Sequence, residues 1–201
     1  MSKQAIIIFL KYPELGRSKT RLAATVGDQN ALKIYKELLE HTHQITKNLS
    51  CDSFLFYDRE SPNKMNWETE KYKHKLQVQS DLGGRMKNAF QEIFDEGYGN
   101  IIIIGSDCYD LSEDIINQAF NLLKENEVVI GPALDGGYYL LGLTKMVNSL
   151  FEDVKWSTSE VLHATVKVLE NQQLKYATTT PLSDIDVYED LPSSLKKLLE
   201  E

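Results

Sequence analysis

The chain has 201 residues, a formal net charge of −8 and a hydrophobic fraction of 42%, enough for one sizeable domain with its own core. An acidic chain lacks the broad basic surface that nucleic acids or anionic membranes require, so neither partner is expected. Cys51 and Cys108 form no C-x-x-C, which leaves no disulfide framework or zinc signature. With no signal-like leader and no apolar stretch of transmembrane length, the expectation is a cytoplasmic protein without membrane insertion.

The first element is the apolar, β-branched run 5–9, a strand buried on both faces. A basic segment, KYPELGRSKTRL, follows at 11–22. From 28 to 49 apolar residues recur at helical spacing, with Asp28 as a plausible N-cap. A strand is expected at 53–57, a polar loop at 60–74, a short strand at 76–79 and a helix at 83–94. The run 101–104 is the most buried-looking strand. Ser112 caps a helix whose first turn carries Glu113 and Asp114, where the helix dipole favours acids. Strands follow at 128–130 and 138–143, and Ser157 with Glu160 has the spacing of a capping box. A late strand at 174–178 and a helix at 191–199 close the chain. Strands alternating with helices predict an α/β fold: a mostly parallel sheet with helices on both faces, in one domain over 1–201.

In such sheets ligands bind beyond the carboxyl ends of the strands, and three strand ends are unusual here. After the first strand, Lys11, Arg17, Lys19 and Arg21 could hold di- or triphosphate oxygens, or form a solvated basic loop. The segment is not a P-loop, because Arg17-Ser18 stands where the glycine beside the lysine is needed. After the strand 101–104, Asp107 of Gly105-Ser106-Asp107-Cys108 is placed to hold a cation, or to cap a turn. Asp184 and Asp186, two apart, point the same way if extended; alone they read as a polar turn, and beside Asp107 one becomes a second metal ligand. Asp135-Gly136-Gly137 is a hairpin signal that also lets backbone approach a ligand, with Asp135 as a hydroxyl acceptor and a tyrosine as a stacking surface.

Other residues carry less. His41 and His43 face different directions on their helix, and His74 and His163 lack partners in the sequence. Cys108 reads as a buried thiol, since no histidine arrangement supports a nucleophile.

Together the motifs resemble those of the bacterial glycosyltransferase-like DUF2064 ("transferase 1") family. These are Phe9-x-Lys11-x-Pro13-x-x-Gly16-x-x-Lys19-Thr20-Arg21-Leu22, Gln79-x-Asp81-Leu82-Gly83-x-Arg85-Met86, Gly105-Ser106-Asp107-Cys108, Gly131-Pro132-Ala133-x-Asp135-Gly136-Gly137-Tyr138-Tyr139-Leu140, Trp156-Ser157-Thr158 and Asp184-Ile185-Asp186. The opening loop is also similar to that of 2-phospho-lactate guanylyltransferases. The resemblance implies a single-domain GT-A fold, that of the nucleotide-diphospho-sugar transferase superfamily. It implies that Lys11, Lys19 and Arg21 hold nucleotide phosphates, with Pro13 and Gly16 shaping the turn. Gln79, Gly83, Arg85 and Ser106 would lie on the nucleotide side. Asp107 and Asp186 would hold Mg²⁺ or Mn²⁺, and Asp135, Gly136, Gly137 and Tyr138 would meet the acceptor or sugar. Tyr109, Ser80 and Val187 stand where the family has proline, glycine and threonine, departures that bear on loop geometry and substrate choice.

The resulting expectation is a metal-dependent transferase with an activated nucleotide donor and a small-molecule acceptor. Asp107, Lys19 and Arg21 would carry catalysis, with Asp135 as a candidate base. Glycosyl transfer follows the family label; nucleotidyl transfer with pyrophosphate release suits the extra cations of the first loop. The alternatives are a non-catalytic nucleotide or sugar-nucleotide sensor, and a P-loop kinase, which the missing glycine disfavours.

Overall fold

The structure, a computed structural model, describes residues 2–60, 67 and 70–200. The chain order is β1 (Gln4–Leu10), α1 (Thr20–Val26), α2 (Asp28–Thr46), β2 (Asp52–Tyr57), β3 (Tyr72–Leu76), α3 (Leu82–Asp95), β4 (Asn100–Ile104), α4 (Glu113–Leu122), β5 (Val128–Pro132), β6 (Tyr138–Leu143), α5 (Val161–Asn171), β7 (Tyr176–Thr178) and α6 (Ser193–Lys197), with short 3₁₀ turns at Asn148–Leu150 and Tyr188–Asp190.

The strands form a seven-stranded sheet in the order β3-β2-β1-β4-β6-β5-β7. All pairings are parallel except those of β6, which runs antiparallel to both β4 and β5. The central strands are continuous apolar runs because helices cover both faces. Period-two alternation divides the core accordingly. Ile6, Ile8, Leu10, Leu55, Ile102 and Ile104 pack against α1, α2 and α4. Ala5, Ile7, Phe54, Phe56, Ile101 and Ile103 pack against α3 and α5. β1 lies beside β4 in parallel, Ile8 opposite Ile104. The segments that leave these two strands therefore emerge side by side on one edge, and that juxtaposition builds the site.

Two helix starts follow the sequence closely. Asp81 accepts from the Gly84 amide (2.8 Å) at the head of α3, and Ser112 accepts from the Ile115 amide (3.3 Å) at the head of α4. Other boundaries differ. α1 begins inside the expected basic loop and runs beyond it to Val26; its N-cap, Lys19, has left-handed backbone and makes no side-chain cap, so no capping signal announces it. Gly27 caps α2, and Asp28 is already in its first turn, where its charge complements the dipole. The second edge strand is Tyr72–Leu76, not 76–79. Its Lys73 and Lys75 give it a polar character, because they reach Asp52 (3.6 Å) and Glu92 (2.5 Å) on the exposed edge. Part of the loop expected at 60–74 lies outside the described residues. The capping box at Ser157 and Glu160 does not form: Ser157 sits in a turn with φ 62°, and α5 begins at Val161 without a side-chain cap. No helix among the described residues is long and apolar enough to cross a membrane.

Candidate active site

The loop after β1 is held rigidly by its own backbone and by neighbouring strand ends. The Lys11 amide donates to Tyr35 Oη (2.8 Å), and that hydroxyl donates back to the Lys11 carbonyl (2.9 Å). The Tyr12 amide donates to Asp58 Oδ1 (2.8 Å), just beyond β2, and Arg59 grips the Glu14 carboxylate at 2.5 Å. Further on, the Glu14 amide donates to Ser18 Oγ (3.1 Å), while the Arg17 and Ser18 amides donate to the Glu14 carbonyl (3.2 Å each). Gly16, with φ 75°, supplies the left-handed position this tight turn needs. These five amides are spent inside the loop. The loop's Lys11, Lys19 and Arg21 side chains line the cavity and are available to an anion there.

Two of those side chains converge on two carboxylates. Lys19 Nζ lies 2.8 Å from Asp107 Oδ2 and 3.3 Å from Asp186 Oδ1, and its side chain is only 6% exposed. Arg21 Nη1 reaches Asp186 Oδ2 at 2.9 Å from a far more open position. The left-handed backbone of Lys19 costs about 1–2 kcal/mol for a residue with a Cβ, and it turns the ammonium inward. Burial pulls the Lys19 ammonium down, but the Asp107 and Asp186 carboxylates outweigh burial and hold its pKa above the ordinary lysine value.

The carboxylates are placed by separate elements. Asp107 follows β4, and its carbonyl accepts from the Ile185 amide (2.9 Å), which clips the 184–186 segment to the β4 loop. Asp190 Oδ2 accepts from both the Asp186 and Val187 amides (2.8 Å each) and so fixes Asp186. Asp184 is tucked behind. Burial, then the charges of Asp107 and Asp135, push its carboxyl up to about 7 against an ordinary 3.8.

Lys19, Arg21, Asp107 and Asp186 rim a cavity of about 500 Å³ at the carboxyl ends of β1 and β4 and the amino end of β6. Of the residues expected at the site, Lys11, Lys19, Arg21, Arg85, Ser106, Asp107, Tyr138 and Asp186 line it. Pro13 and Gly16 lie in the loop that carries Lys11 and Lys19, off the cavity wall. Gln79 is exposed, whereas Gln77, two residues earlier, is buried in the wall; its Oε1 accepts from Arg85 Nη1 (2.9 Å) and its Nε2 donates to the Phe56 carbonyl (2.8 Å). Gly83 faces Trp156, whose indole a Cβ would overlap. Gly136, with φ 90°, faces the Ser159 carbonyl in the same way. Asp135 Oδ1 accepts from the Gly137 amide (2.9 Å), closing the β5–β6 turn.

Tyr35 and Asp58 also line the cavity and carried no separate signal in the sequence, although Asp58 obeys the same strand-end rule as Asp107. The histidines do not gather: His41 Nε2 pairs with the Leu111 carbonyl (2.9 Å), and His43 stacks on Trp67. Both cysteines are free and buried, and burial raises each thiol to about 12.

The donor set fits a divalent cation. Two carboxylates from different segments already share one positive charge, the Lys19 ammonium, which stands in for a cation between them. Mg²⁺ typically takes one or two protein carboxylates plus waters and phosphates. No cluster of three or more potential protein ligands exists among the described residues, so waters or a bound ligand would complete the shell.

The sheet order and this strand-end site define the fold of the nucleotide-diphospho-sugar transferases. A candidate nucleotide-diphospho-sugar transferase from Desulfovibrio desulfuricans G20 shares it at 30% identity and TM-score 0.87, covering 98% of this chain and 91% of that one. The chain belongs to the DUF2064 family, described as uncharacterized proteins conserved in bacteria, whose model matches residues 41–158. More distant structures share the fold alone. The inositol-1-phosphate CTP transferase from T. maritima aligns at 14% identity and TM-score 0.57 over 100% of this chain and 96% of that one. The manganese complex of Rv0371c from Mycobacterium tuberculosis H37Rv aligns at 11% and 0.55 over 100% and 99%. No curated protein matches the sequence.

Proposed function

We propose that residues 1–201 act as one domain, a divalent-metal-dependent transferase that takes an activated nucleotide, a nucleotide sugar, as donor and a small molecule as acceptor. The observation that carries this reading is the meeting of Lys19 and Arg21 with Asp107 and Asp186 at the mouth of one cavity. Lys11, Lys19 and Arg21 bind the donor phosphates by side chain, and Arg21 can do so in bidentate fashion. Asp107 and Asp186 hold Mg²⁺ or Mn²⁺, which when bound neutralises charge on the phosphate oxygens. The cations fixed at this edge favour the developing negative charge of the departing diphosphate more than the bound ground state. Gln77 and the Arg85 it orients border the nucleotide side. Asp135 and Tyr138 are assigned to the acceptor side, with Asp135 as the base that takes the acceptor hydroxyl proton. The free, buried cysteines suit a cytoplasmic setting.

A second reading is nucleotidyl transfer, in which an acceptor phosphate attacks the α-phosphorus and pyrophosphate leaves. It is favoured by the cationic groups around the cavity, Lys11, Lys19, Arg21 and Arg85, which suit a triphosphate. A panel of nucleoside triphosphates and nucleotide sugars, screened by thermal shift with and without Mg²⁺, tests the common core. A ligand at a hundredfold over its dissociation constant adds about 2.7 kcal/mol of apparent stability. Nucleoside diphosphate release then marks glycosyl transfer, and pyrophosphate release marks nucleotidyl transfer. If no nucleotide binds more tightly with metal and Asp107→Ala changes nothing, the proposal fails.

A further inference from the structure

We infer that Lys19 is an exchangeable occupant of the cation site, so that metal and nucleotide phosphate enter together and the metal alone is held off. This rests on the metal reading above and adds the order and coupling of binding. The Lys19 ammonium lies 2.8 Å from one carboxylate and 3.3 Å from the other, and its side chain is almost wholly enclosed. A Mg²⁺ bound by the same oxygens would sit about 2.0–2.1 Å from each. An ion there and the ammonium cannot occupy the one space, and their like charges at such a distance repel strongly.

Charge balance gives the direction of the exchange. In the free protein Asp107 and Asp186 are matched by Lys19 and Arg21, and the group is neutral. Adding a divalent ion alone displaces the ammonium from the two carboxylates that hold it. Adding the ion together with a polyphosphate gives Lys19 a new partner within the same cavity, whose rim also bears Lys11 and Arg21. Each ligand therefore binds better in the presence of the other, a reciprocal coupling. Lys19 is thus more than a phosphate grip: it suppresses metal loading of the empty site, a role that a lysine held only for phosphate contact would not have.

The test uses the full chain without nucleotide and Mn²⁺ as the probe, with the free ion followed by electron paramagnetic resonance. Lys19→Met, which keeps the stem and removes the charge, should bind Mn²⁺ at least tenfold more tightly than the parent. Lys19→Met combined with Asp107→Asn should lose that gain. A folded Lys19→Met protein, checked by circular dichroism, that binds Mn²⁺ no better than the parent overturns the inference. The parent protein gives an independent measurement should the variant fail to fold. Trace acetylation by acetic anhydride, read by mass spectrometry, should label Lys19 severalfold more at saturating Mn²⁺ than without it; unchanged labelling overturns the exchange. The transferase reading fails separately. A chain that shows the Lys19→Met gain yet binds no nucleotide under any metal condition keeps this inference and loses that one.

Discussion

Asp184→Asn is a sharp probe of the electrostatics at the site. The Asp184 carboxyl is pushed up to about 7 by burial and by Asp107 and Asp135, against 3.8 ordinarily. Between those values the folded chain binds a proton at Asp184 that the unfolded chain has released, so the contribution of this group to stability falls as pH rises from about 4 to about 7. At about 1.4 kcal/mol per tenfold change in proton affinity, the span from 3.8 to about 7 sets a ceiling of about 4 kcal/mol above neutral pH. Asp184 is not fully enclosed and shares its field with three other acids, so screening reduces the expected effect to about 1–3 kcal/mol. Asparagine keeps the shape and removes the ionisation. Urea unfolding in EDTA should find Asp184→Asn more stable than the parent by that amount at pH 8, with the gap closing near pH 4. A gap independent of pH, or one that widens toward acid, would refute the account of four carboxylates crowding one strand edge.

Arg21→Glu should weaken binding of any nucleotide at least tenfold while shifting unfolding free energy by no more than about 0.5 kcal/mol, because the exposed ion pair contributes little to stability; a collapse of the fold on circular dichroism would make the loop structural. Gly136→Ala should cost about 1–3 kcal/mol, since a Cβ at φ 90° is strained and also meets the Ser159 carbonyl; an unchanged denaturation midpoint would contradict the packing. Gln77→Ala removes the bond to the Phe56 carbonyl and one of the acceptors of Arg85, at about 1–3 kcal/mol, measured by urea unfolding. Cys51 and Cys108, with thiols at about 12, should react with iodoacetamide at pH 7.5 far more slowly in the native chain than in urea, and equal rates would deny their burial.

The central strands were legible because a strand covered on both faces must be apolar throughout, as β1 and β4 are. β3 was misplaced for the opposite reason: at the sheet edge, Lys73 and Lys75 satisfy its outer face with charge, so its run resembles a loop. α1 was hidden because its first turn has no cap, and Lys19 is committed to Asp107 and Asp186 instead. Strand-end reasoning singled out Lys19, Arg21, Asp107 and Asp186 individually. That one ammonium joins the two acids could not be read, since nothing in the local pattern links residues so distant in sequence. The glycines show a different limit. A glycine beside a ligand and a glycine beneath a side chain look alike in sequence, and here Gly83 and Gly136 face Trp156 and Ser159.

The sheet topology explains why a site of this kind forms with so few residues. Parallel pairing of β1 with β4 puts their carboxyl ends on the same edge, one strand spacing of about 4.8 Å apart. A basic loop after one and an acid after the other then have to meet, whatever the intervening helices do. The antiparallel β6 brings the opposite polarity to that edge: it enters through the Asp135–Gly137 turn and places Tyr138 on the cavity wall. The C-terminal segment adds the last carboxylate by pairing its Ile185 amide with the Asp107 carbonyl, so Asp186 reaches Lys19 only when β4 is in place. The charged cluster thus depends on contacts between four separate parts of the chain, and any nucleotide it binds should stabilise the whole sheet edge against unfolding rather than one loop of it.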